Sequence, residues 1–192
     1  MTSEEVLQLF TEAGGLLEGH FLYASGRHGS RFLQAARVLQ FPRQTEQLCS
    51  AMADHYQDAG IELVAGPATG GIVLAYETAR RLNCRAVFTE KDANGDMILK
   101  RGFALKPGTR TLVVEDVITT GGSVQKTVDH LAGRGAEIIG VASLIDRSGG
   151  KVTFQPRYTP LANITLESWD PADCPLCAEG RDLIDPDDIV VR

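Results

Sequence analysis

The sequence predicts an α/β domain in which helices cover a parallel sheet, and three observations carry that reading. Strand-like and helix-like segments alternate three times between residues 61 and 146. The apolar runs LVVE and IIGVASLI lack polar alternation, as strands buried on both faces do. The chain has 192 residues, 43% of them hydrophobic, enough for one well-filled core.

Taken in order, Ser3 followed by Glu4, Glu5, Val6, Leu9, Phe10 and Ala13 predicts a capped amphipathic helix, ended by Gly14 and Gly15. HFLYASGRHGSRFLQAARVL reads as two strands about a turn at Gly26–Ser30. From Pro42 to about Ala59, Leu48, Met52 and Tyr56 recur at helical spacing. IELVAGPATGG is a strand running into a glycine-rich turn, with a helix near Ile72–Leu82 behind it. CRAVFTE and TRTLVVED are further strands, Ser123 to about Arg134 is a helix stopped by Gly135, and IIGVASLID is the next strand. KDANGDMILK, Lys91–Lys100, is polar, contains Asn94-Gly95, and reads as a mobile loop or hairpin inserted between two core strands. After Gly149 the prolines 156, 160, 171, 175 and 186 predict irregular cover.

A net charge of −6 without basic runs excludes a nucleic-acid backbone or an anionic membrane as the expected partner. No window approaches a membrane span, and the acidic N-terminus lacks the order of a signal peptide. The cytoplasm is the expected compartment, with Cys49 and Cys84 as buried thiols.

In a parallel sheet, ligands gather beyond the carboxyl ends of the strands. Three such ends carry chemistry: Gly66–Gly71, Glu115–Ser123 and Asp146–Ser148. Thr119, Thr120, Gly121, Gly122 and Ser123 form a tight turn into a helix, whose backbone amides and hydroxyls suit an anion. The loop is neither a Walker A nor a dinucleotide fingerprint, and a plain capped turn would look the same. The acids before it add information. Glu115 and Asp116 repel a phosphate but accept hydrogen bonds from vicinal hydroxyls, and can share a Mg²⁺ with substrate oxygens. Acids and loop together describe a ligand with hydroxyls at one end and a phosphate at the other, such as a ribose 5-phosphate.

VVEDVITTGGS resembles the 5-phosphoribosyl 1-diphosphate (PRPP) motif of the type I phosphoribosyltransferases, and LVVEDVITTGG is similar to its orotate-using members. LLEGHFLYASGRHGSRFLQAA resembles their hood, GPATGGIVLA their diphosphate loop, SLIDRSGG their base-binding strand end, and CPLCAEGRDL the tail of a bacterial subgroup. The resemblance spans nearly the whole chain. It implies one phosphoribosyltransferase domain over 1–192: a hood (1–42), an α/β core that binds PRPP (61–150), a mobile catalytic loop (91–101) and a C-terminal cover (150–192). It also implies transfer of the phosphoribosyl group from PRPP to orotate in pyrimidine synthesis, with Mg²⁺ as cofactor, and a homodimer whose loop reaches the partner's site.

Residue by residue, the resemblance puts PRPP on Glu115, Asp116, Val117, Ile118, Thr119, Thr120, Gly121, Gly122 and Ser123, and on Lys91. Asp116 and Lys91 carry the catalysis, and no metal ligand is assigned to protein side chains. Orotate falls to Thr119, Arg147, Phe32 and Leu33; Arg27 lies in the hood turn. Diphosphate contacts fall to Thr69, Gly70, Lys100 and Arg101. The departures are a loop without histidine, Thr69-Gly70 where many relatives have Tyr-Lys, and Ala24 where many have lysine. The four histidines show no metal spacing and read as surface or capping residues, Cys174-x-x-Cys177 is a single half-site, and Trp169 reads as packing. Two rival readings remain open: a purine or uracil phosphoribosyltransferase, and a non-catalytic RNA-binding regulator on the same fold.

Overall fold

The computed structural model describes residues 1–23 and 25–186. Ala24, the hood position noted above, and residues 187–192 of the cover lie outside the described residues. Helix α1 (Ser3–Glu12) buries Val6 and Phe10, and its cap is Thr2 rather than Ser3. The Thr2 hydroxyl accepts from the Glu5 N–H at 3.2 Å, while the Glu5 carboxylate accepts from the Thr2 N–H at 2.7 Å. That reciprocal pair requires the acid three residues after the cap, which fixes Thr2.

The hood is a hairpin of β1 (Leu16–Leu22) and β2 (His28–Leu33). Its turn comes earlier than the glycines at 26 and 29 suggested, because Tyr23 N–H donates to the Arg27 carbonyl at 2.8 Å and Gly29 and Ser30 join the strand. A short helix α2 (Ala36–Leu39), unmarked by any apolar period, leads into α3 (Pro42–Asp54). Leu48, Met52 and Tyr56 all point into the core.

The core sheet has strands β3 (Leu63–Pro67), β4 (Arg85–Lys91), β5 (Met97–Leu99), β6 (Arg110–Ile118), β7 (Glu137–Asp146) and β8 (Tyr158–Asn163). Its order is β5-β4-β3-β6-β7-β8, parallel throughout except the antiparallel β4–β5 hairpin. Helices α4 (Gly70–Leu82) and α5 (Gly122–Gly133) pack on it. Chain order grows from β3 toward β4, then turns back through β6, so the crevice between the β3 and β6 ends is the switch point where parallel sheets bind ligands. The tail is not irregular: β8 pairs with β7, and a two-residue β9 (Ser168–Trp169) joins the hood sheet, Trp169 opposite His28. Pro160 masked β8 in the sequence, and an edge strand tolerates it because one side needs no ladder donor. A 3₁₀ turn (Pro171–Asp173) and α6 (Pro175–Ala178) follow. Cys49 is fully buried and its thiol is pushed up to about 12 by that burial; Cys84 is only half-buried.

Candidate active site

Strand β6 carries its apolar run straight into Glu115 and Asp116, which puts both acids at the sheet's carboxyl edge. The Glu115 Oε1 accepts from the Asp116 N–H at 3.1 Å, and Asp116 Oδ1 accepts from the Val117 N–H at 2.6 Å. Burial, and for Glu115 the neighbouring Asp116 charge, pushes both carboxyls well above the usual carboxylate range. Among the described residues no lysine or arginine pairs with either acid. The free protein therefore disfavours ionising both acids together, and a cation or a set of hydroxyl donors would draw them into the charged form. At the start of α4, Gly70 comes so close to the Asp116 carboxylate that a side chain there would collide with it. A tyrosine-lysine pair in place of Thr69-Gly70 would need a different Asp116 rotamer.

The turn after β6 opens α5. Its N-cap is Gly121 at φ 73°, and no side chain caps the helix. A Cβ at Gly121 would lie 2.9 Å from both Phe154 and Val152, so glycine answers both the left-handed backbone and the crowding. A capped turn would have spent these amides on a hydroxyl. Here the first-turn N–H groups carry no side-chain cap, and a hollow of about 80 Å³ over Glu115 and Val117–Val124 faces them.

Beside it opens a cavity of about 650 Å³. Its walls include Asp116, Val117, Thr119 and Thr120 from β6 and its turn, Phe32 and Leu33 from the hood, and Arg147. Arg147 follows β7, and its N–H donates to the Ile118 carbonyl at 2.7 Å, which anchors the backbone to β6. Its guanidinium carbon stands 4.8 Å from the Tyr23 ring centroid, and burial lowers its pKa while Tyr23 opposes that. The neighbouring Asp146 does not pair with it, and instead accepts from the Ser148 N–H at 2.6 Å. Among the described residues lining the cavity, Arg147 is the one cation.

The structure thus brings together Glu115–Ser123, Arg147, Phe32 and Leu33. It does not bring Lys91, Lys100 or Arg101 to this cavity. Their hairpin leans on α5 through Lys126, whose Nζ donates to the Gly95 carbonyl at 2.7 Å. Lys100 Nζ donates to the Lys91 carbonyl at 2.7 Å, and Arg101 forks onto Glu90 at 2.7 and 2.8 Å. Arg27 ties the hood to the tail, donating to the Ser168 carbonyl at 2.7 Å and to Asp170 at 2.8 Å. Tyr23, Gln34, Ser25, Leu166 and Ser168 also line the cavity. Tyr23 had a signal, an aromatic beside the hood turn; Leu166 and Ser168 reach the wall only because β9 folds onto β2. His20 and His28 are not surface residues: they are 2% and 6% exposed, inside the hood.

A larger hollow of about 780 Å³ between α1 and α3 is edged by Glu5, Glu12, Glu46 and Asp54. Glu5 is spent on the α1 cap, and Glu46 and Asp54 on Arg80 and Arg81, so it offers no comparable set of free groups.

A parallel sheet with acids and an uncapped glycine turn at its switch point suits a phosphosugar ligand, and comparison with known proteins gives the class. Residues 36–170 match the model of the phosphoribosyl transferase domain, well over half of the chain, and the chain belongs to that family. Within it, the chain is 45% identical over 186 residues to the orotate phosphoribosyltransferase of Desulforamulus reducens, covering 97% of each chain. It is 46% identical over 184 residues to that of Carboxydothermus hydrogenoformans, covering 95% of this chain and 96% of the relative. Among solved structures, orotate phosphoribosyltransferase from Aeropyrum pernix superposes with a TM-score of 0.68 at 25% identity, over 82% of this chain and 93% of that one. The likeness first read from VVEDVITTGGS is borne out. No helix among the described residues is long and apolar enough to cross a membrane.

Proposed function

We propose that this chain transfers the 5-phosphoribosyl group of PRPP to orotate, giving orotidine 5′-monophosphate and diphosphate, the penultimate kind of step in making UMP. The observation that carries this reading is a pair of adjoining hollows that share Val117, Thr119 and Thr120 and bring together sugar, phosphate and carboxylate partners: Glu115 and Asp116, the Thr119–Ser123 turn, and Arg147.

Glu115 and Asp116 accept hydrogen bonds from the ribose hydroxyls, and the α5 amides with the Thr119, Thr120 and Ser123 hydroxyls hold the 5-phosphate. Arg147 holds the orotate carboxylate, while Phe32 and Leu33 wall the ring and keep water out. A ring nitrogen of orotate then forms its bond to the anomeric carbon as the bond to diphosphate breaks. The electron pair leaves with the diphosphate, and the nitrogen's proton goes to solvent. The unpaired acids fit a hard cation, with Asp116 and substrate oxygens as its holders. Mg²⁺ arriving with PRPP would neutralise charge growing on the departing diphosphate.

The cavity's own cation faces the base, so the diphosphate end needs positive charge from elsewhere. We assign this to Lys91, Lys100 and Arg101 of the partner in a homodimer, with Thr69 and Gly70 as backbone contacts. Release of Arg101 from half-buried Glu90 costs little, because the guanidinium is itself exposed and such an ion pair is weakly held. Lys91→Ala should lower kcat by roughly 10-fold or more, the scale of one charge-assisted contact to the leaving group. Mixing the impaired Lys91→Ala and Arg147→Ala homodimers should then recover activity at low orotate through hybrid sites, whereas no recovery places the hairpin in its own subunit's site. The whole chain acts as one domain in the cytoplasm. The direct test is orotate consumption with PRPP and Mg²⁺, with adenine, hypoxanthine and uracil as competing acceptors; turnover of one of those in preference to orotate would sink the assignment.

A further inference from the structure

The hood and tail build a second cluster that takes no part in the cavity. His20 on β1 and His28 on β2 face each other across the hairpin, Nε2 to Nδ1 at 3.2 Å. Helix α6 carries the CxxC against them. Cys174 Sγ lies 3.4 Å and Cys177 Sγ 3.7 Å from His20 Nε2, and Cys177 Sγ lies 3.2 Å from His28 Nδ1. All of these ligand atoms fall within 4.8 Å of one another. A tetrahedral zinc with bonds of about 2.0–2.1 Å to nitrogen and about 2.3 Å to sulfur has edges of about 3.3–3.8 Å. The four separations above, 3.2–3.7 Å, lie close to those edges.

A further contact sets the donor state of one ligand. His20 Nδ1 is 3.0 Å from the Arg181 carbonyl oxygen, which can only accept, so Nδ1 carries the proton and the Nε2 lone pair faces the cluster. Ligating histidines are oriented in this way by a carbonyl behind the ring. His20, His28 and Cys174 are 2%, 6% and 3% exposed, whereas Cys177 is exposed and leaves a path for an ion. Both cysteines are free thiols.

We propose that His20, His28, Cys174 and Cys177 bind one structural Zn²⁺ that clamps the C-terminal segment onto the hood. Binding displaces both thiol protons to solvent, so two thiolates, two neutral imidazoles and the ion sum to zero charge, as a buried site requires. The donor set is closed, with protein ligands at every corner, which marks structure rather than catalysis. The fold explains the need. The tail segments here are a two-residue strand, a 3₁₀ turn and the four-residue α6, too short to hold themselves. Yet they brace the hood that carries Tyr23, Phe32 and Leu33 to the cavity wall. The sequence shows only half of the site, since 154 positions separate His20 from Cys174.

Metal analysis of the untagged protein, purified without chelator from zinc-supplemented cells, should find about one zinc per chain. Cys177→Ser and His28→Ala should each lower that content at least 5-fold and the Tm by roughly 5 °C or more. Zinc near zero in the wild-type protein, with no rise in Tm when zinc is titrated into chelator-treated protein, overturns the proposal. Should the variants fail to fold, Co²⁺ exchanged into the wild-type chain decides. Strong visible bands with a thiolate-to-cobalt charge transfer support the site, and the pale spectrum of hydrated cobalt refutes it. None of these readouts depends on the transferase assay.

Discussion

Asp116→Asn should remove most of the turnover and at the same time make the free protein more stable. The side chain is a charge-bearing acceptor beside Glu115, sunk in the cavity floor with no cation against it. For catalysis, the variant exchanges an ionised acceptor for a neutral amide. Each charge-assisted bond is worth about 1.5–3 kcal/mol, so losing those to the ribose hydroxyls should lower kcat/KM for PRPP by roughly 100-fold. For stability the sign is opposite. Burial, and for Glu115 the adjacent charge, raises both carboxyls above their ordinary values. A group raised on folding contributes stability that is present below its unfolded pKa and is lost as pH rises through the folded one. At neutral pH the pair is therefore a cost, and the amide, whose oxygen can still accept from the Val117 N–H, removes the repulsion. Thermal melts should place the variant a few degrees above wild type, with the gap widening from the ordinary carboxylate range upward. By the same linkage, PRPP with Mg²⁺ should bind with release of protons, visible by calorimetry in buffers of different ionisation enthalpy. Unchanged PRPP affinity in the variant would remove Asp116 from the ribose.

The parts of the molecule that could be read in advance are those in which neighbours in sequence are neighbours in function. The buried strands β3, β6 and β7 appear as continuous apolar runs because both faces are covered, and Glu115–Ser123 is legible because one strand end and one turn hold both halves of the ligand. What stayed hidden depends on contacts between distant segments. β8 reads as irregular because Pro160 is acceptable only at an edge, which topology alone reveals. Arg27 looks like a turn residue near the ligand, yet the return of β9 spends its guanidinium on Ser168 and Asp170. Lys91, Lys100 and Arg101 belong to the loop that sequence pointed to, and the β4–β5 hairpin carries them off their own cavity. His20 and His28 have no spacing of their own that marks a ligand, and meet Cys174 and Cys177 only when the tail packs on the hood.

Arg147→Ala should raise the KM for orotate by roughly 100-fold and leave that for PRPP within about threefold. A forked guanidinium–carboxylate pair makes two charge-assisted bonds, and the loss of even one strong bond accounts for a factor of that size. The geometry says why this arginine is available. Its backbone is pinned to Ile118, its guanidinium rests above the Tyr23 ring, and no carboxylate among the described residues pairs with it. Burial lowers its pKa, but a guanidinium starts so high that it stays charged at any working pH. The free site thus carries a partly desolvated cation without an anion, a cost that a substrate carboxylate relieves. Arg147→Lys should recover little, since a point charge on a flexible stem offers neither the fork nor the flat face that rests on Tyr23. The split between the two KM values separates this role from a general loosening of the cavity, which would raise both. An equal rise in both, with the fold intact by thermal melt, would instead move Arg147 to the diphosphate end and leave the base selected by the hood alone.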